Sequence, residues 1–179
     1  MQAGEALHEQ RYRDYCLQKY AFICDHRAPF EKLYRQNIKG EWAPFFAMNS
    51  LDACGAMAAG LSDVNAVADK KDYQDYLDRA ADYISNQQLR LPDGTLCRPA
   101  PRYRTLWADD LYMSVPFLAR MGKRTGNKKY FDDAIRQVEA FNRYLYDPST
   151  GLYFHCYYDS VEHNGLARWG PCNGWIASR

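Results

Sequence analysis

Two aspartates, Asp52 and Asp109, each open an apolar stretch of the chain and lie 57 residues apart. If both stretches are helices of one repeat, their carboxylates lie at the same end of neighbouring helices and face a common cavity. Carboxylates that share a buried site acquire split pKa values, and one can stay protonated near neutral pH, as acid catalysis requires. The alternative, compatible with the first, is that each aspartate caps its helix or complements the helix dipole, worth about 0.5–2 kcal/mol.

The four tryptophans lie near the starts of apolar stretches, at Trp42, Trp107, Trp169 and Trp175. Indole faces stack well on the apolar faces of sugar rings, so this joint placement indicates a carbohydrate site. Packing in the core is the alternative for any one of them.

Basic residues flank the same positions. Guanidinium groups pair well with carboxylates, so arginines near the tryptophans favour an acidic sugar, and a solvated basic loop is the alternative. His155 either donates a hydrogen bond to substrate or satisfies a buried backbone group. The arginines concerned are Arg98, Arg102, Arg104 and Arg168.

The residues that must position these groups form helices. Apolar residues recur with helical spacing in five stretches, which predicts a chiefly α-helical chain. Pro, Gly and Arg mark loops at 27–44 and 92–105, and only 151–158 has a strand-like pattern. The predicted helices span about 10–25, 51–68, 71–90, 109–124 and 128–146.

A shift of 57 residues aligns the chain with itself, pairing Asp52 with Asp109 and Tyr73 with Tyr130. Each copy holds an apolar helix, a tight turn and an amphipathic helix, which is typical of stacked helical hairpins with the apolar helix inside. A third unit starts at 173–175, and the sequence stops at Arg179. We therefore expect residues 1–179 to form one partial barrel domain, truncated at its C-terminus; a complete small helical domain is the alternative.

Composition excludes several classes of partner. Lys and Arg number 23 against 22 Asp and Glu, so no net field attracts nucleic acid or an anionic membrane. No apolar run has the length of a membrane span, and no signal peptide is recognisable. The six cysteines lack metal-ligand spacing, which predicts mostly free thiols, no metal and no cofactor. Oligomeric state is not indicated.

Three motifs then carry a resemblance to a known family: WADDLYMSVPFL at 107–118, LDACGAM at 51–57 and RWGPCNGW at 168–175. The chain resembles the unsaturated rhamnogalacturonyl hydrolases, glycoside hydrolase family 105. The resemblance implies an all-α fold, an (α/α)6 barrel of which this chain covers about the first half. It also implies a bacterial enzyme of the cytoplasm or periplasm.

The resemblance implies an unusual reaction, in which the C4=C5 double bond of an unsaturated uronyl oligosaccharide is hydrated. The acid at Asp109 protonates C4 of the terminal galacturonyl residue, and its conjugate base helps water to add at C5. Asp52 assists through hydrogen bonds. The implied substrate-binding residues are Trp42, Trp107, Met113, His155, Arg168, Trp169 and Trp175.

The sequence departs from the family pattern at Pro171, where an arginine that contacts substrate is expected. Either Arg168 or a basic loop residue compensates, or the protein prefers another unsaturated uronide or has lost activity. Two alternatives stay open. One is an unsaturated glucuronyl hydrolase of the related family 88, and the other is a non-catalytic fragment or degenerate homologue that binds sugar or partners.

Overall fold

The computed structural model describes residues 2–38 and 40–177 as a helical protein with two small antiparallel sheets. None of its helices has both the length and the hydrophobicity needed to cross a membrane. The helices are α1 Gln2–Ala6, α2 Gln10–Arg35, α3 Ala43–Ala47, α4 Leu51–Ala68, α5 Lys71–Asp82, α6 Asp109–Thr125, α7 Lys128–Leu145 and α8 Gly170–Ala177. The strands are β1 Thr105–Trp107, β2 Tyr146–Asp147, β3 Leu152–Tyr153, β4 Cys156–Tyr158 and β5 His163–Asn164.

The two predicted helical hairpins are confirmed. Helices α4 and α5 form the first, α6 and α7 form the second, and α7 begins 57 residues after α5. The ends of α4, α6 and α7 agree with the prediction within one residue. Helix α5 is shorter than expected, because its last turns, Tyr83–Gln87, widen into a π-helix.

The apolar helices α4 and α6 are the inner pair, as predicted. They pack against each other, while α5 packs on α4 and α7 packs on α6. Leu61 of α4, Leu77 of α5, Leu118 of α6 and Phe141 of α7 are all fully buried in one core. This packing, more than helix propensity, holds the four helices in place.

Helices α4 and α6 cross with their backbones almost in contact at Gly55. A Cβ atom added there would lie 1.7 Å from the backbone oxygen of Met113. Such a distance is far below van der Waals contact, so only glycine fits at this crossing. The crossing fixes how the first turns of the two inner helices face each other.

The predicted loop at 27–44 is wrong over its first nine residues. Helix α2 continues through Pro29 to Arg35, although an internal proline costs about 3 kcal/mol or more. Contacts beyond the proline favour the longer helix: Phe30 stacks on Trp42 with 4.7 Å between ring centroids, and the ring of Tyr34 lies 5.6 Å from that of Phe46 in α3.

The single strand predicted at 151–158 is also wrong, since the chain bends in its middle. Strand β3 pairs with β2, whereas β4 pairs with β1 and β5 in a second sheet. At the bend, the amide of Phe154 donates to Leu145 and that of His155 donates to Ala167. These long-range backbone bonds outweigh continuation of one strand.

The close crossing at Gly55 predicts that a larger residue there destabilises the protein. Gly55→Ala must push α4 away from the backbone of α6, so the free energy of unfolding should fall by about 3 kcal/mol or more. Urea denaturation would measure it. Gly40→Ala is the matched control, because a Cβ atom there meets nothing within 4 Å; equal losses in the two variants would contradict the close crossing.

Candidate active site

Asp52 and Asp109 both lie in the first turn of an inner helix. Neither caps its helix: Ser50 accepts the bond from the Ala53 amide at the start of α4, and α6 has no side-chain cap bond. Of the alternative, the part that has these aspartates cap their helices is therefore wrong. The placement near the positive end of each helix dipole remains favourable to both carboxylates.

Asp109 is paired with His155. The Nε2 atom of His155 lies 3.1 Å from Oδ2 of Asp109, whose side chain is only 13% exposed. Sheet pairing creates this contact, since Trp107 pairs with Cys156 across β1 and β4 and the Ala108 amide donates to the His155 carbonyl. Which of the two groups donates in this bond depends on the tautomer of the His155 ring.

Tryptophan rings surround this pair. The ring centroids of Trp107 and Trp169 lie 4.8 and 4.9 Å from that of His155. Trp169 is 46% exposed, so part of its indole surface is free to stack on a ligand. Trp107 Nε1 is buried and has no hydrogen-bond partner among residues 2–38 and 40–177. Most buried donors in proteins do have a partner.

Helix α8 is attached beside His155 by Asn173. Its side-chain oxygen accepts from the Tyr153 amide at 2.8 Å, and its nitrogen donates to the Tyr153 carbonyl at 3.1 Å. This clamp places Trp175 against Tyr112 of α6, with 4.6 Å between ring centroids. Pro171 lies in the first turn of α8, where a helix tolerates proline.

Arg98 joins Asp52 to a carboxylate that the sequence analysis missed, Asp110. Its Nε and Nη2 donate to Asp110 at 2.7–3.1 Å, while Nη1 and Nη2 reach Asp52 at 2.9 and 3.1 Å. Asp110 is completely buried and Asp52 is half exposed. The sequence did contain a signal for Asp110, namely the two adjacent aspartates at 109 and 110. Consecutive side chains of a helix point in different directions, so the two carboxylates could not have the same partner.

Charge burial shifts the acid–base properties of this cluster. Burial raises the pKa of Asp110 to about 6, although its bonds to Arg98 act in the opposite direction. For Arg98, burial lowers the pKa, but the bonds and charges of Asp110, Asp52 and Asp109 outweigh it and raise the pKa overall. Arg98 therefore stays charged.

The structure does not bring every proposed substrate-binding residue to this group. Trp42 contacts Phe30 and Phe45, on the side of α2 and α3. Met113 lies at the helix crossing, and its side chain packs against the core. Neither residue is linked to Asp109 by a described contact, so their roles stay predictions.

The arginines expected to bind a substrate carboxylate are mostly engaged with the protein's own groups. Arg168 bonds to Asp147 and lies 4.2 Å from the ring centroid of Phe154. Arg104 pairs with Asp159 at 3.2 Å. Arg102 lies over the ring of Tyr158.

In the described part of the chain, no three His, Cys, Asp or Glu side chains form a metal-ligand set.

Two stacked hairpins with paired inner helices define a protein of the helical-hairpin class, in which a carboxylate–histidine pair lies beside tryptophan rings. A family model described as Glycosyl Hydrolase Family 88 matches residues 1–178, and the chain belongs to that family. The resemblance seen in the motifs is confirmed, since a relative named unsaturated rhamnogalacturonyl hydrolase and solved structures assigned to family 105 also match.

Two curated relatives are similar over part of their length. The chain is 35% identical over 112 residues to the unsaturated rhamnogalacturonyl hydrolase YesR of Bacillus subtilis, covering 57% of this chain and 32% of that protein. It is 36% identical over 76 residues to an unsaturated 3S-rhamnoglycuronyl hydrolase of an Alteromonas species, covering 41% of this chain and 18% of that protein.

Solved structures confirm the fold. A possible family 105 member from Klebsiella pneumoniae aligns with a TM-score of 0.66 at 23% identity, covering 90% of this chain and 43% of that one. A family 105 glycoside hydrolase from C. acetobutylicum aligns with a TM-score of 0.65 at 25% identity, covering 72% of this chain and 38% of that one. These neighbours are (α/α)6 barrels, and the chain spans less than half of their length.

The raised pKa of Asp110 predicts that the stability of the protein depends on pH. It is about 6 in the folded protein against an ordinary 3.8, so the folded state binds this proton more tightly than the unfolded chain. The resulting stability is complete below about pH 4 and is lost as the pH rises through about 6.

Asp110→Asn removes that titration. From about pH 4 to 7, the free energy of unfolding of the wild type, measured against the variant, should fall by on the order of 2 kcal/mol. Urea unfolding at both pH values tests this. A wild-type advantage that grows with pH would contradict it.

Proposed function

We propose that the protein carrying this chain is an unsaturated uronyl hydrolase that removes the terminal 4,5-unsaturated galacturonic acid from rhamnogalacturonan oligosaccharides. The observation that carries the proposal is the largely buried carboxylate of Asp109, 3.1 Å from His155, whose ring packs against two tryptophan rings. Acid–base chemistry next to stacking surfaces suits a sugar substrate. The name of YesR gives this substrate, and the name of the Alteromonas relative gives an unsaturated rhamnoglycuronyl substrate.

In the proposed reaction, Asp109 gives a proton to C4 of the unsaturated residue. Positive charge then develops at C5, and the conjugate base of Asp109 takes a proton from the water that adds there. The product is a hemiketal, which opens and rearranges to release the rest of the sugar. One residue first donates and then accepts a proton, so the rule relating carboxylate separation to inversion or retention does not apply.

The remaining site residues have supporting roles in this proposal. Asp52 assists through hydrogen bonds, and His155 orients Asp109 and contacts substrate. Trp107, Trp169 and Trp175 provide the aromatic walls. Trp42, Met113 and Arg168 are retained as substrate-binding candidates on the sequence alone.

The carboxylate of Asp109 makes a direct prediction. In the longest natural form of the protein, Asp109→Asn should slow the loss of ultraviolet absorbance of an unsaturated rhamnogalacturonan disaccharide by on the order of 10³-fold, because the amide cannot donate and reaccept the proton. Asp78→Asn is the matched control on an exposed face of α5. An Asp109→Asn variant as active as this control would remove Asp109 from the mechanism.

The choice between uronides depends on the neighbouring sugar, since the double bond removes the stereocentre that distinguishes galacturonate from glucuronate. Trp169 and Trp175 present partly exposed apolar surface, which suits the methyl-bearing face of rhamnose. Sulfated amino sugars instead require cations, and Arg98, Arg104 and Arg168 already pair with protein carboxylates.

We therefore expect kcat/KM for a rhamnose-linked substrate to exceed that for an amino-sugar-linked one by about 100-fold or more. Comparing both disaccharides by the same absorbance assay tests this. A preference for the amino-sugar-linked substrate would assign the chain to the glucuronyl hydrolases instead. Failure to turn over any uronide would favour the non-catalytic alternative.

A further inference from the structure

Arg98 contacts three side chains of the proposed site at once. One edge of its guanidinium group bonds to Asp110 and the other to Asp52. Its plane lies over Trp107, with 5.1 Å from Cζ to the ring centroid. Trp107 in turn packs edge-on against His155, the partner of Asp109.

The anchor of this arrangement is Asp110, whose side chain is completely buried. A carboxylate in that position cannot be solvated, and it is held between α6 and the loop that carries Arg98. The backbone of that loop is fixed as well, since the Arg98 amide donates to Thr105 at 2.8 Å. A planar guanidinium bound by both ends of its fork has one orientation.

Asp52 lacks such constraints of its own, because its side chain is 51% exposed. A half-exposed aspartate would rotate freely among its side-chain conformations. Arg98 holds both of its oxygens, at 2.9 and 3.1 Å. The orientation of Asp52 is therefore determined by Asp110 through Arg98.

We propose that Arg98, anchored by the buried Asp110, is a positioning residue that fixes the carboxylate of Asp52 and the ring of Trp107 for the reaction at Asp109. The inference rests on the proposed function. It assigns Arg98 to the protein's own carboxylates and not to the carboxylate of the substrate.

A double-mutant cycle between Arg98 and Asp52 tests the proposal in the longest natural form of the protein. Arg98→Lys keeps the charge but cannot hold both carboxylates, and Asp52→Asn removes the group that is held. We expect each single variant to lower kcat by about 10-fold or more, with KM changing less than about 3-fold. The double variant should be within about 3-fold of Asp52→Asn.

Losses that multiply in the double variant would show that Arg98 acts independently of Asp52, and would overturn its assignment as the residue that positions Asp52. A rise in KM with unchanged kcat would overturn it as well, because that result assigns Arg98 to substrate binding.

Arg120→Lys is the matched control. Arg120 forms an equally good fork with Asp63, at 2.7 and 2.9 Å, between the same two helices. Asp63 lies eleven residues beyond Asp52 on α4, about 16 Å along the helix. We expect kcat of Arg120→Lys to stay within about 2-fold of the wild type; a loss as large as that of Arg98→Lys would make the effect a general loss of stability.

Crystal structures of the wild type and Arg98→Lys provide a readout that does not depend on activity. The Asp52 carboxylate should leave its position or occupy several, and an unmoved Asp52 and Trp107 would overturn the proposal. If the wild type turns over no uronide, the proposed function fails, and these structures still decide whether Arg98 positions Asp52.

Discussion

The close crossing of α4 and α6 is the constraint on which the site depends. Because Gly55 has no side chain, the two helix backbones meet at Met113, and their first turns face the same region. Asp52 and Asp109 enter that region from neighbouring helices. A larger residue at the crossing would separate the helices and the two carboxylates together.

The small sheet of β1, β4 and β5 completes the site from distant parts of the chain. It brings the segment before α6 next to the segment after α7, so that His155 meets Asp109 and Trp107. The Asn173 clamp then adds the tryptophans around α8. Side chains that are held by rigid elements lose little conformational entropy when a ligand binds.

The buried carboxylate of Asp110 orients Arg98 in this arrangement. Isolated, Asp110 would cost several kcal/mol to bury, and its raised pKa shows that burial outweighs the bonds from Arg98. The pair nevertheless connects the two inner helices with the loop before β1. Its value therefore lies in orientation, and the similar pair of Arg120 and Asp63 connects the same helices farther from the site.

The sequence by itself determined the inner and outer helices, the 57-residue repeat and the first-turn positions of Asp52 and Asp109, because periodicity and turn residues act locally. The motif resemblance identified the family. Only the tertiary structure decided that α2 runs through Pro29, that 151–158 serves two sheets and that Arg98 bonds to Asp110. These features rest on contacts between residues far apart in the chain, which no local pattern encodes.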